Sequence, residues 1–154
     1  MTLQEMFDKA VAHFADMEKP STSTPNEYDG TDCAYRGYEG NKCIVGAFID
    51  DKHYESSFEG KGVLEWDELW DSKLMETPRR FQPVLNAVAA SMGVEALNED
   101  QSQLLYTLQL IHDDHSDGFD INEDVWYEVV EDALIDLADD CGLEYNVGQS
   151  DTNL

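Results

Sequence analysis

Beyond Arg80 this chain has no lysine and no arginine. Residues 81–154 hold 17 acids and no base, a net charge of −17, while residues 1–80 hold 17 acids and nine bases, net −8; together they give −25. So little positive charge works against direct binding to nucleic acid or to an anionic membrane surface, and it favours basic partners. A solvated surface with no task usually intersperses both signs, and half of this chain does not.

Cysteine is also scarce. Cys33, Cys43 and Cys141 make an odd number, with no Cys-x-x-Cys pair. Cys33 and Cys43, even with His53 added, fall short of the four closely spaced ligands of a structural zinc site. A hairpin turning at Glu39-Gly40 would set Cys43 opposite Arg36 rather than Cys33, so that register forms no disulfide. There is no glycine-rich phosphate loop and no evident nucleophile with its base. An enzyme would need a pocket uniting Cys43 with His53 or His112, so the expectation is a protein that is not an enzyme and takes no cofactor. No apolar run approaches the length of a membrane span. Thr2 to Lys19 reads as an amphipathic helix and not as a signal peptide. The expected location is the cytoplasm of a host cell, with thiols reduced.

What is present is mostly helical pattern. Leu3, Met6, Phe7, Ala10, Val11, Phe14 and Met17 recur at helical spacing, opened by a Thr2/Glu5 capping box and followed by Pro20. The segment PSTSTPNEYDGTD reads as a linker. Leu64, Leu69, Trp70 and Leu74 could support a short helix or two. Phe81, Val84, Leu85, Val88, Ala89 and Met92 form the next stripe, with Pro83 in its first turn and Gly93 at its stop. Asn98 and Gln101 resemble a second capping box, leading into Leu104, Leu105, Leu108 and Ile111. Asn122 caps a last helix that turns Trp126, Val129, Val130, Ala133, Leu134, Leu137, Ala138 and Cys141 inward, and Gly142 closes it. Residues 1–148 are expected to form one acidic domain and 149–154 a flexible tail.

Between the first two stripes lies CAYRGYEGNKCIVGAFIDD, residues 33–51. Its glycines suggest a small β-hairpin near residues 33–49, which makes the expected class α+β, mainly helical. The run Cys43 to Ile49 has no decisive period, so strand and buried helix both fit. Cys33, Tyr35, Arg36, Gly37, Gly40, Cys43 and Gly46 are assigned to scaffold. Arg36 is expected to pair with Asp50 or Asp51, and Cys43 to act as a small buried apolar group. The motif Cys-x-Tyr-Arg-Gly, then Gly-x-Lys-Cys-x-Val-Gly, an acidic turn, Tyr54 and Glu59-Gly60, resembles a family of small bacteriophage and mobile-element proteins. LQLIHDD and the Trp-containing acidic helix after it are similar to their C-terminal half. The likeness spans about two-thirds of the chain. It departs at Asp50 and Asp51, where such proteins often carry a proline. The resemblance implies a phage-like origin and no particular reaction.

HDDHSDGFDINED, residues 112–124, admits a calcium-loop register starting at Asp113. Asp113, Asp117 and Gly118 then stand at positions 1, 5 and 6, but His115 and Ile121 fill ligand positions 3 and 9, and Asp124 stands at position 12 where Glu is usual. The plainer reading is an inter-helix loop with its acids near the positive N-terminus of the next helix. His112 and His115 could share a helix face.

The strongest signal is the last helix. Asp124–Glu128, Glu128–Asp132, Asp132–Asp136 and Asp136–Asp140 are like-charge i, i+4 pairs, each unfavourable by a few tenths of a kcal/mol. Asp139 and Asp140 also oppose the helix dipole. Such a row imitates the spaced charges of a duplex backbone. The leading expectation is a phage-type nucleic-acid mimic that inhibits a basic nucleic-acid-binding host protein of the restriction or CRISPR defence kind. Its contacts would be Asp113, Asp114, Asp117, Asp120, Asp124, Glu128, Glu131, Asp132, Asp136 and Asp139. The alternatives are a calcium- or metal-binding module at 113–124 and an acidic accessory protein of a high-salt or marine phage or host.

Overall fold

The computed structural model describes residues 1–17, 35–36, 42–58, 77, 79–116 and 123–146, with the backbone alone at 80, 113–116 and 123–126. The linker, Cys33, Gly37, Gly40, the helix expected around 64–74, Asn122 and the tail at 149–154 lie outside the described residues.

Four α-helices carry the fold: α1 (Leu3–Asp16), α2 (Gln82–Met92), α3 (Glu99–Ser116) and α4 (Glu123–Cys141). Their ends are set by local chemistry. Thr2 Oγ1 accepts the Glu5 amide at 3.1 Å, and Glu5 Oε1 accepts the Thr2 amide at 2.8 Å, closing the capping box of α1. That amide contact holds the Glu5 carboxyl below its ordinary range. Asn98 and Gln101 exchange the same two bonds ahead of α3, at 2.8 and 2.9 Å. Pro83 stands in the first turn of α2, where no amide donor is needed. Gly93 (φ 77°) and Gly142 (φ 70°) follow α2 and α4 in the left-handed conformation, which glycine adopts without steric cost.

α3 lies at the centre. Six consecutive residues, Leu104 to Gln109, are buried, so α3 is covered on every side rather than along one stripe. It packs against α1, α4 and a 310 turn at Val45–Phe48. Phe14 of α1 stacks on Tyr127 of α4, with ring centroids 4.4 Å apart. Phe81 meets Tyr106 edge to face at 5.2 Å, which ties the start of α2 to α3. Such ring pairs contribute about 0.5–1.5 kcal/mol each beyond their buried area.

The expected β-hairpin near residues 33–49 is corrected by the structure, and with it the α+β class: among the described residues there is no strand, and the class is all-helical. Val45–Phe48 closes local bonds instead. The Ala47 amide reaches the Cys43 and Ile44 carbonyls, and the Ile49 amide reaches that of Gly46. The carbonyls a strand would give to its neighbour are taken by one side chain. Arg36 donates to the Gly46 oxygen at 2.9 Å and to the Ile49 oxygen at 2.7 Å. It also pairs with Asp51 at 3.1 Å and lies over the Tyr54 ring, 4.9 Å from its centroid.

Asp51 is 88% exposed, so water screens its pairing with Arg36 and the two carbonyl bonds dominate. Charge-assisted hydrogen bonds are worth about 1.5–3 kcal/mol each when buried. Arg36→Met should therefore lower unfolding free energy by about 2–4 kcal/mol. Arg36→Lys should recover less than half of that, because an ammonium cannot span both carbonyls. Asp51→Asn should change it by less than about 0.5 kcal/mol. Urea denaturation of the three variants reads the contrast, and equal losses at Arg36 and Asp51 would contradict it.

Candidate functional site

α4 rises about 1.5 Å per residue, so its 19 residues span roughly 28 Å. Eight of them are acids: Glu123, Asp124, Glu128, Glu131, Asp132, Asp136, Asp139 and Asp140. That is one carboxylate per about 3.5 Å of helix, against one phosphate per 3.4 Å along each strand of a duplex. Val130, Leu134, Leu137 and Ala138 face the core with almost no exposed surface. On the opposite side Glu128, Asp132, Asp136, Asp139 and Asp140 are exposed. None of these five forms an ion pair among the described residues.

Two positions on α4 differ from their expected placement. Val129 is 39% exposed, on the shoulder of the acidic face, and not inward. α3 and the α1 rings fill an arc centred on Val130 and Leu134, and Val129 lies some 100° from Val130. Glu131 is half-buried on the other flank, where its Oε2 accepts the Tyr145 hydroxyl at 3.1 Å. Burial, reinforced by the Glu131 charge, pushes the Tyr145 phenol well above its ordinary value, so it keeps its proton as the donor.

Tyr145 belongs to a return segment strapped onto α1. The Gln4 side-chain amide donates to the Glu144 carbonyl at 2.9 Å and accepts the Glu144 amide at 2.8 Å. Asp8 receives Gln4 and Asn146 at 2.7 and 3.2 Å, and the Tyr145 ring stands edge-on to Phe7. No local pattern signals this strap, which joins residues about 140 apart in sequence.

The remaining candidate acids fall elsewhere. Asp113 and Asp114 are in the last turn of α3 and Asp124 is in the first turn of α4, all with backbone alone described. Asp117 and Asp120 lie outside the described residues. α3 runs to Ser116, so the first four positions of the calcium register at Asp113 are helical, where a calcium loop would already have left the helix. Among the described residues no three His, Cys, Asp or Glu side chains group as a metal site would require. Among them too, no helix is long and apolar enough to cross a membrane.

A second polar cluster lies inside. Cys43 is fully buried, as expected of a small apolar group, and its Sγ also donates to Gln109 Oε1 at 3.2 Å and accepts the Gly46 amide at 3.2 Å. Thr107, Gln109 and His112 on α3 are buried as well. His13 on α1 places Nε2 2.7 Å from the Lys42 carbonyl. His53, in the 310 turn at Asp51–His53, is half-buried in a different part of the fold. Gln109 and His112 were legible in principle, being four and seven residues beyond Leu105 on its buried face. His13 carried no such signal, being polar at a boundary position of α1.

No family model, no curated protein and no solved structure matches this chain.

Proposed function

We propose that this chain is a phage-type acidic binding protein. In this reading the outward face of α4 occupies the basic groove of a host nucleic-acid-binding protein in the cytoplasm and displaces the nucleic acid. A groove belonging to the restriction or CRISPR kind of defence is the intended target. The observation that carries the proposal is the exposed row Glu128, Asp132, Asp136, Asp139 and Asp140, on a helix in a half-chain without any lysine or arginine. Counted over all eight of its acids, α4 carries about one carboxylate per 3.5 Å of axis, close to one duplex strand. The fold gains nothing from this row: its i, i+4 pairs repel, and its last two acids oppose the helix dipole. A row that works against its own helix is explained by what it meets outside. The phage-like sequence motif supports the same reading.

The test is capture of basic proteins from a bacterial lysate on the immobilised chain, with elution first by salt and then by duplex DNA. Retained nucleic-acid-binding proteins that DNA displaces, with affinity falling steeply as salt rises, are expected. Adaptation to high salt instead would give a chain that retains no basic protein at any ionic strength.

A further inference from the structure

The polar groups of the interior gather where α1, α3 and the 42–49 segment meet. His13, in the last turn of α1, holds the Lys42 carbonyl at 2.7 Å. The next residue, Cys43, is bound to Gln109 of α3 and to the Gly46 amide. His112, three residues after Gln109, has no exposed surface. The titratable groups around His13 come from each neighbouring element: Asp16 on α1 itself, Lys42 on the segment, His112 on α3. α4 brings Tyr127, stacked on the adjacent Phe14.

We propose that His13 is an acid-labile clasp, whose proton uptake drives the imidazole out of this seam and loosens the 42–49 segment from α1.

The neutral ring, in the tautomer with hydrogen on Nε2, donates to the Lys42 oxygen and brings no charge into the seam. A second proton on Nδ1 places a full charge there, with the Lys42 side chain and His112 unfavourable to it and the Lys42 carbonyl and Asp16 favourable. Burial holds the affinity of His13 for that proton below the ordinary imidazole value, His112 and Lys42 act the same way, and the Lys42 carbonyl and Asp16 oppose them. The end of α1 also favours a cation, but burial outweighs it. The folded chain thus holds this proton less tightly than the unfolded chain. The stabilisation is complete above the unfolded value of about 6.5 and is lost as pH falls below it. Carboxylates titrate near pH 4 and relieve repulsion when protonated, so the window from about pH 7 to about pH 5.5 isolates histidine.

His13→Gln keeps an N–H donor for the Lys42 carbonyl and removes the titration. Hydrogen-exchange protection of the Gly46, Ala47 and Ile49 amides should fall at least about 3-fold across that window in the wild type and stay level in H13Q. The His13 Cε1–H resonance should titrate below about pH 6.5. Equal pH dependence in the two proteins, or a His13 midpoint at or above that value, overturns the clasp. Should H13Q fail to fold, the wild-type resonance decides alone.

Discussion

A chain carrying Glu128→Lys together with Asp136→Lys should melt higher than the wild type and, on the function proposed above, bind a basic groove far more weakly. Residues 128 and 136 alternate with Asp124, Asp132 and Asp140 along one line of α4, so two substitutions turn all four repulsive i, i+4 pairs into attractive ones. Each reversal is worth a few tenths of a kcal/mol on both sides of zero. The four together give about 1–3 kcal/mol at low salt, and the two pairs in which Asp124 and Asp132 precede the introduced cation have the more favourable order. For a chain of this size that raises Tm by about 3–10 °C. Neither position contacts the core, so the fold has no reason to resist. At a basic groove the same change sets two cations against cations, and affinity should fall on the order of 100-fold, near 1.4 kcal/mol for each charge. Calorimetric melting and a competition titration against duplex DNA measure the two halves. Stability that rises while binding is unchanged would show that the partner meets another surface.

Gly46→Ala should be among the most damaging single changes in the protein. Gly46 sits in the 310 turn Val45–Phe48, where the 35–36 segment crosses it. A Cβ there would collide with the carbonyl oxygen of Tyr35 and press on Cys43 Sγ at 3.3 Å. The Tyr35 oxygen is backbone, so relief requires the chain to move rather than a side chain to turn. That movement would pull on the neighbouring Arg36, whose guanidinium holds the Gly46 and Ile49 carbonyls. Inserting one carbon into a tight site costs about 1–3 kcal/mol. With Arg36 displaced as well, about 3–5 kcal/mol is expected, a fall in Tm of roughly 6–20 °C. Thermal denaturation checks it; a loss below about 1 kcal/mol would mean that the crossing is not tight. Exposed Gly93 offers a control of another kind, since its Cβ would meet nothing and only the positive φ of 77° would resist.

The acidic face was legible because it depends on two things a sequence states outright, the identity of each charge and the 100° step of a helix. Glu128, Asp132, Asp136 and Asp139 stand where that step puts them. Glu131 satisfies the same rule, yet its carboxylate is engaged by Tyr145, whose position depends on a strap between Gln4 and Glu144. Val129 was placed inward because it is apolar, but burial depends on how wide an arc the neighbours cover.

The sequence by itself determined where α1 and α3 begin, where α2 and α4 end, and on which side the carboxylates of α4 lie. Capping bonds reach three residues and a glycine answers to its own φ, so nothing distant could change them. Tertiary structure decided the rest: that Cys43 to Ile49 coils into a 310 turn, that Arg36 caps it, and that Gln109, His112 and His13 share an interior seam with Cys43. An apolar run without a period has no preferred partner until other elements surround it, and a polar side chain is buried only when contacts brought from afar can satisfy it.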